Sequence, residues 1–209
     1  MGERAASHRT ASDRTASDSA AGVLLAAGEG RRLGTPKALV EVGGVRLVDR
    51  GVRLLRDGGC DPVVVVTGAV VVAVPGALAV HNPDWRAGMS TSFAAGLGAL
   101  PGTCPAAVVA LVDQPLVGPE AVRRLVAAWR GGAGLAVATY GGRPRNPVLF
   151  ERSHWASAVA AATGDAGARG YLRAQADQVS LVECADTGSP DDLDTPADLA
   201  RISQLLARR

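Results

Sequence analysis

The chain has 209 residues, of which 47% are hydrophobic and 20% are charged, and its formal net charge is +2. This size and composition indicate one α/β domain with an apolar core, and no apolar run is long enough to cross a bilayer. The small net charge, without a basic face interleaved with aromatic residues, argues against nucleic acid or a membrane as partner. The three cysteines lack C-x-x-C spacing, so we expect no zinc site, no disulfide and a cytoplasmic protein.

The first twenty residues are small, polar and of mixed charge, with a repeated RTASD and no apolar periodicity. This composition is typical of a disordered leader, and an apolar region of the kind found in secretory signals is missing. We therefore expect a leader over residues 1–20 and a single domain over residues 21–209.

A glycine-rich stretch follows the first apolar run, Val23 to Ala27. Its glycine-loop residues and cations are Gly28, Gly30, Arg31, Arg32, Gly34 and Lys37. The pattern predicts a strand, a cationic loop and then a helix. Glycine lets backbone N–H groups approach a phosphate closely, and the cations neutralise its charge. Lys37 is the only lysine among 22 basic residues, and an ammonium suits a position among phosphate oxygens. We expect this loop to hold a phosphate group.

Four consecutive valines, Val63 to Val66, are bounded by turn residues, as is typical of a strand buried on both faces. They predict a parallel sheet with helices on either side. Gly28 and Thr67 would then emerge at the carboxyl edge of the sheet, where ligands bind in open α/β folds. Residues 69–80 predict a compressed connection that ends in a short strand near Leu78 to Val80.

Polar residues follow that short strand. Asn82 leaves it, and the segment from Gly88 to Ser92, which includes Ser90, opens a predicted helix with hydroxyl side chains placed to cap it. Two interpretations stay open for these residues. They recognise a base or a ribose, or they form only the turn and the cap.

The apolar run Ala106 to Leu111 leads through Val112 to Asp113, and Pro115 then turns the chain away. A carboxylate at the carboxyl end of a central parallel strand faces the same crevice as the glycine loop. Mg²⁺ is usually held by one or two carboxylates together with substrate phosphates. The alternative is a helix cap, but Pro119 and Glu120 already begin the next helix. The pattern favours Asp113 as a Mg²⁺ ligand.

The last third of the chain holds fewer chemical signals. A loop rich in arginine and proline is predicted over residues 141–147, before a short strand, and its arginines and Asn146 are expected to reach the substrate. Near the carboxyl end, Asp194 or Thr195 is predicted to cap the closing helix, with Pro196 at its first position.

Several motifs together resemble the MobA-like nucleotidyltransferase family, closest to its molybdenum cofactor cytidylyltransferase branch. In order they are LAAGEGRRLGTPKAL (25–39), NPDWRAGMSTS (82–92), VDQP (112–115), NPVLF (146–150), GDAGAR (164–169) and DLDTPADL (192–199). The similarity covers about residues 22–206. It implies a three-layer α/β, Rossmann-like nucleotidyltransferase fold with a mostly parallel central sheet.

The resemblance also implies an activity. A Mg²⁺-dependent enzyme would move an NMP group from an NTP to a phosphorylated acceptor such as molybdopterin and release pyrophosphate, with a molybdoenzyme or its chaperone as protein partner. Lys37, Arg32 and Asp113 would be catalytic. The expected nucleotide-binding residues are Leu25, Ala26, Ala27, Gly28, Gly30, Arg32, Lys37, Thr67, Asn82, Ser90 and Asp113, and the expected acceptor-binding residues are Gln114, Asn146 and Asp165.

The donor base and the reaction class have alternatives. The double alanine in LAAG favours CTP over GTP, and Asn146 stands where relatives commonly have histidine. One rival is an NAD(P)-dependent oxidoreductase of the nicotine blue oxidoreductase type. Against it, the glycine spacing is one residue longer than the dinucleotide fingerprint, and the strand ending at Thr67 supplies no acid for a ribose. The other rival is a nucleotide-binding module without catalysis.

Overall fold

The computed structural model describes residues 19–207. Residues 1–18, most of the predicted leader, lie outside the described residues, as do residues 208–209. Within the described part of the chain, none of the helices combines the length and the apolar character that a membrane span needs.

Nine strands and six α-helices lie along residues 19–207. The strands are β1 (Ala21–Ala26), β2 (Glu41–Val42), β3 (Val45–Arg46), β4 (Val63–Thr67), β5 (Leu78–His81), β6 (Ala106–Leu111), β7 (Leu135–Tyr140), β8 (Arg143–Glu151) and β9 (Val179–Glu183). The helices are α1 (Leu47–Asp57), α2 (Met89–Gly98), α3 (Pro119–Arg130), α4 (Arg152–Ala161), α5 (Arg169–Ala174) and α6 (Pro196–Ala207). Seven strands form one sheet in the order β5-β4-β1-β6-β8-β7-β9.

The sheet has a helix layer on each face, as predicted. All its neighbouring strands are parallel except where β8 runs antiparallel to β6 and β7. Along β1, Leu24 packs into the core beneath α1, α3 and α6, whereas Val23 and Leu25 pack into the core beneath α2, α4 and α5. A central strand therefore buries both faces, which explains why its sequence is apolar without alternation.

We expect Leu24→Ala to destabilise the domain strongly. Leu24 is fully buried at the centre of the sheet, so truncation removes apolar contacts and leaves a cavity. The free energy of unfolding should fall by about 2–5 kcal/mol. Urea unfolding followed by circular dichroism measures this loss. Leu78→Ala is the matched control, because Leu78 is 56% exposed and its truncation should change stability by less than about 0.5 kcal/mol. Equal effects of the two variants would contradict the assigned core.

The helix predicted directly after the glycine-rich loop is wrong. A single 3-10 turn, Lys37–Leu39, leads instead into the β2–β3 hairpin, and α1 begins only at Leu47. Ala38, Val40 and Val42 are buried at every second position, which is the period of extended chain rather than of a helix. The phosphate site expected at this loop is therefore not a helix N-terminus.

The prediction of a loop over residues 141–147 is also wrong. Gly141 and Gly142, both with positive φ, form a tight turn, and β8 begins immediately afterwards at Arg143. The arginines of this segment lie exposed on a β-hairpin. The other elements agree with the sequence, including the short strand β5 and the helix that starts at Pro119.

Candidate active site

The candidate site lies at the carboxyl edge of the sheet, between the ends of β1 and β6. These strands are parallel neighbours with Leu25 paired to Leu111, so the segments that follow them lie side by side. Between these segments is an open cavity of about 590 Å³. Its lining residues are Leu25, Ala27, Gly28, Glu29, Gly30, Arg31, Arg32, Lys37, Trp85, Arg86, Gly88, Met89, Ser92, Leu111, Val112, Asp113, Asp165 and Asp194.

The loop after β1 is compact because glycine permits its closure. Gly30 has a φ of +63°, and a Cβ there would lie 2.0 Å from the carbonyl oxygen of Thr35. The Gly34 N–H donates to the Gly30 carbonyl, and the Lys37 N–H donates to the Gly28 carbonyl at 3.2 Å. The loop thus returns Lys37 to the end of β1, beside the cavity.

Lys37 lies between two carboxylates. Its ammonium donates to Asp113 Oδ2 and to Asp194 Oδ1, each at 2.5 Å, and its side chain is only 17% exposed. Burial by itself would lower the pKa of Lys37, but the charges and hydrogen bonds of Asp113 and Asp194 outweigh burial and raise the pKa above its ordinary value. The lysine is therefore charged, and it links the loop to two other segments.

Asp194 is the residue of the site that sequence reasoning missed, since it was interpreted only as a candidate helix cap. The side chain of Asp194 takes no part in the cap of α6. The Asp198 N–H donates to Thr195 Oγ1, and the Thr195 hydroxyl and the N–H groups of Asp194 and Thr195 donate to the Asp198 carboxylate. The Leu193 N–H donates to the Asp113 carbonyl at 2.8 Å. The main chain of Asp194 is thereby held, and its carboxylate is free of the cap and accepts from Lys37.

The two carboxylates leave acceptor capacity unused. Asp113 Oδ1 is buried without a hydrogen-bond partner, and Asp194 Oδ2 lies 3.8 Å from the Arg32 guanidinium. Across residues 19–207, no group of three or more His, Cys, Asp or Glu side chains is arranged to hold a metal ion. A cation at this carboxylate pair would therefore need further oxygen ligands from water or from a bound phosphate.

Gln114, predicted to bind the acceptor, points instead to the carboxyl-terminal segment. Its amide donates to Asp192 Oδ1 at 3.0 Å and to the Pro190 carbonyl at 3.2 Å. Burial raises the pKa of Asp192, the Gln114 bond opposes this, and the nearby charges of Asp113 and Asp194 raise it further. Gln114 therefore ties the segment that carries Asp194 to the end of β6.

The structure brings together eight of the predicted site residues and leaves six away from the cavity lining. Leu25, Ala27, Gly28, Gly30, Arg32, Lys37, Asp113 and Asp165 line the cavity; Ala26, Thr67, Asn82, Ser90, Gln114 and Asn146 do not. Ala26 faces the core beneath α1 and α3, and the buried Thr67 donates its hydroxyl to the Val80 carbonyl. Asn146 lies on β8, where it precedes a cis-proline.

Asn82 has internal partners. Its amide nitrogen donates to Thr91 Oγ1 at 2.9 Å and to Ser92 Oγ at 3.0 Å, and its oxygen accepts from the Asp84 N–H. These contacts favour the structural interpretation of Asn82. The expected hydroxyl cap of α2 is wrong, because the cap position is Gly88, which has no side chain to accept from the first-turn N–H groups. The Thr91 hydroxyl instead donates to the Gly88 carbonyl at 2.9 Å. Ser92 rather than Ser90 reaches the cavity.

The glycine loop, Lys37 and a carboxylate pair thus meet at the carboxyl edge of an α/β sheet, which is where open α/β folds bind ligands. The chain belongs to the MobA-like NTP transferase domain family, whose model matches residues 22–179. The predicted family, the fold class and the assignment as a nucleotidyltransferase are confirmed.

Individual relatives extend the comparison. The chain is 37% identical, over 196 residues, to nicotine blue oxidoreductase of Paenarthrobacter nicotinovorans, covering 87% of this chain and 95% of that one. A Mycobacterium strain JC1 homologue of Rv0371c is 29% identical with a TM-score of 0.79, covering 91% and 98%. Rv0371c of Mycobacterium tuberculosis in complex with manganese shares the fold at 24% identity and a TM-score of 0.74, covering 89% and 98%.

Proposed function

We propose that this protein transfers an NMP group, CMP in preference to GMP, from an NTP to a phosphorylated acceptor and releases pyrophosphate. The observation that carries the proposal is the position of Lys37. A charged lysine that follows a closed glycine loop lies at the same crevice as two carboxylates, one of which has an unsatisfied buried oxygen. This combination suits an anionic ligand together with a cation.

The donor would lie along the end of β1. Leu25, Ala27 and Gly28 line the cavity and would contact the nucleoside, while Arg32 and Lys37 would bind the triphosphate. Lys37 is shared between Asp113 and Asp194. Its ammonium has three donors and two of them are used by these carboxylates, so one donor remains for a phosphate oxygen.

Asp113 and Asp194 fit a divalent cation, which we propose to be Mg²⁺. The buried Asp113 Oδ1 has no partner, and oxygen is the ligand that Mg²⁺ prefers. When bound, such an ion polarises phosphoryl oxygens and neutralises negative charge. Asp113 and Asp194 would hold the ion, and the Lys37 ammonium would then be available to the phosphates.

The transfer needs no covalent protein intermediate. An oxygen of the acceptor phosphate attacks the α-phosphorus of the NTP, a new P–O bond forms, and the bond to the β-phosphate oxygen breaks. Pyrophosphate leaves with the electron pair of that bond. Lys37 and Arg32 stabilise the charge that develops on the leaving group.

We propose molybdopterin as the acceptor, with Asp165 at its binding site, a molybdoenzyme or its chaperone as recipient of the product, and the cytoplasm as the compartment. The family membership supports this acceptor, and the double alanine Ala26-Ala27 supports the cytidine donor. Asn146 lies on a hairpin at the same sheet edge, and we keep it as a candidate acceptor contact.

A second candidate is an NAD(P)-dependent oxidoreductase. The observation that favours it is the 37% identity to nicotine blue oxidoreductase, which extends over nearly the whole of that relative. It leaves the Lys37, Asp113 and Asp194 cluster without a chemical role. The strand β4 also ends at Thr67, so no carboxylate stands at the position that binds a dinucleotide ribose.

Calorimetric titration of the wild type and of Lys37→Ala with CTP, GTP, ATP and NADPH, with and without Mg²⁺, tests these candidates. We expect CTP to bind in a Mg²⁺-dependent manner and to lose at least about tenfold in affinity in the variant, because a charge-assisted contact is removed. Pyrophosphate release on addition of molybdopterin completes the test. Binding of NADPH alone, indifferent to metal, would contradict the transferase and support the oxidoreductase.

A further inference from the structure

One cation of the cavity has no acidic partner. Arg31 pairs with Glu29, Arg32 lies near a carboxylate, and Lys37 contacts two. Arg86 lines the same cavity, yet within residues 19–207 it forms neither an ion pair nor a side-chain hydrogen bond. Its guanidinium donors are therefore available to an anionic ligand.

Arg86 is nevertheless held in place. Its guanidinium carbon lies 4.5 Å from the centre of the Trp85 ring, which is a cation–π contact. Trp85 in turn packs on Gly68, where a Cβ would lie 2.6 Å from the tryptophan and 2.7 Å from the Ala27 side chain. The absence of a side chain at Gly68 is what admits the indole. The platform beneath Arg86 thus rests on the ends of β1 and β4.

The 3-10 turn that carries both residues, Trp85–Ala87, is anchored by side chains. Asn82 accepts from the Asp84 N–H and donates to Thr91, and the Thr91 hydroxyl contacts the carbonyls of Asp84 and Gly88. These bonds join the end of β5 to the start of α2. The polar residues of this segment therefore hold in place the turn that carries Arg86 at the cavity.

Asp165 and Met89 line the cavity close to the segment that carries Arg86. Gly88 approaches Gly164 so closely that a Cβ would lie 2.5 Å from the Gly164 carbonyl carbon, and this approach brings the Gly164–Ala166 turn to α2. The wall therefore offers a cation, a carboxylate and apolar surface. It lacks the glycine loop and the carboxylate pair that suit the donor triphosphate.

We propose that Arg86 binds the anionic phosphate group of the acceptor, with Trp85 as its positioning residue. This inference rests on the proposed function, since it assigns the second substrate of that reaction. The acceptor so defined is a phosphomonoester whose body carries hydrogen-bond donors for Asp165 and an apolar face for Met89. Arg86 would hold the attacking phosphate at the cavity from the segment between β5 and α2, whereas the triphosphate would lie at the glycine loop and Lys37.

Inorganic phosphate is the probe, titrated by calorimetry into the protein alone and into the protein saturated with Mg²⁺ and CTP. Arg86→Gln should weaken phosphate binding about tenfold, since a charge-assisted hydrogen bond is lost, and should leave CTP affinity within about twofold. Arg86→Lys should restore part of the affinity. Arg152→Gln is the matched control, because Arg152 also stacks on a tryptophan, Trp155, at 4.8 Å, away from the cavity.

The outcomes separate this proposal from the proposed function. Equal phosphate affinity in wild type and Arg86→Gln overturns the proposal that Arg86 binds the acceptor phosphate. A loss of CTP affinity in Arg86→Gln assigns the residue to the donor and also overturns it. If the wild type binds no NTP, the proposed function fails, and the titration without nucleotide still shows whether Arg86 binds phosphate.

Discussion

Replacement of Lys37 by methionine should reduce turnover by about 10²–10³-fold, the usual cost of removing one donor to the developing charge. Methionine keeps the length of the stem and removes the ammonium. The same change should lower the free energy of unfolding by about 1–3 kcal/mol, because Asp113 and Asp194 lose their shared cation. Steady-state kinetics with CTP and molybdopterin, and urea unfolding, measure the two effects.

The variant should also gain affinity for metal. Lys37 neutralises the carboxylates that we assign to Mg²⁺, so its removal should tighten Mn²⁺ binding in the absence of nucleotide by about tenfold or more, the scale of one charge a few ångströms away. Electron paramagnetic resonance of Mn²⁺ titrations reports this directly. Arg46→Met is the matched control, since Arg46 forms a 2.7 Å pair with Asp49 at similar exposure. Unchanged Mn²⁺ affinity in Lys37→Met would exclude a shared site.

The raised pKa of Lys37 determines how the contribution of Lys37 to the stability of the fold changes with pH. A group whose pKa is higher in the folded state stabilises the fold fully below its unfolded value, about 10.4. That contribution is lost only as the pH rises through the folded pKa. The Lys37 ammonium is therefore present throughout the physiological range.

Replacement of Asp113 by asparagine should lower kcat by more than about 100-fold and abolish the Mg²⁺ dependence of CTP binding, because the amide keeps the shape and loses the charge that holds the ion. Asp194→Asn should cost about 10- to 100-fold. Asp194 is 40% exposed, against 18% for Asp113, so water replaces part of its contribution.

Asp191→Asn is the control for both variants. Asp191 belongs to the same acidic segment, but it pairs with Arg201 on α6 and is absent from the cavity lining. The activity of the Asp191→Asn variant should stay close to that of the wild type. If all three variants lost activity equally, the effect would reflect disruption of the segment rather than loss of two ligands.

Much of the fold could be predicted from the sequence, because buried parallel strands carry a local signal. Four valines of β4 and the apolar run of β6 needed no knowledge of their neighbours to be recognised. The start of α3 at Pro119 was equally local. The helix predicted after the glycine loop was wrong because the buried residues at 38, 40 and 42 lie within an apolar stretch whose spacing also fits a helix.

About half of the candidate site could be predicted from the sequence. Gly28 and Asp113 each lie two residues after a strand, so a rule about strand ends found them, and Lys37 was found as the only lysine of the chain, next to the glycine loop. Asp194 lies 157 residues from Lys37, and only tertiary structure brings the two together. Asn82 has the composition of a ligand contact, but its amide is satisfied by hydroxyls nine and ten residues further along. Neither fact is contained in a local pattern.

The single lysine of this chain makes it an unusual target for amine chemistry. Lys37 is the only side-chain amine in the sequence, so an acylating reagent adds one group beyond that at the main-chain amino terminus. The ammonium is bound by two carboxylates and 17% exposed, so we expect labelling to be slow in the free protein. Any ligand that draws the amine from its carboxylates changes that rate. Intact-protein mass spectrometry can thus follow occupancy of the site, and attachment to a surface through lysine blocks it.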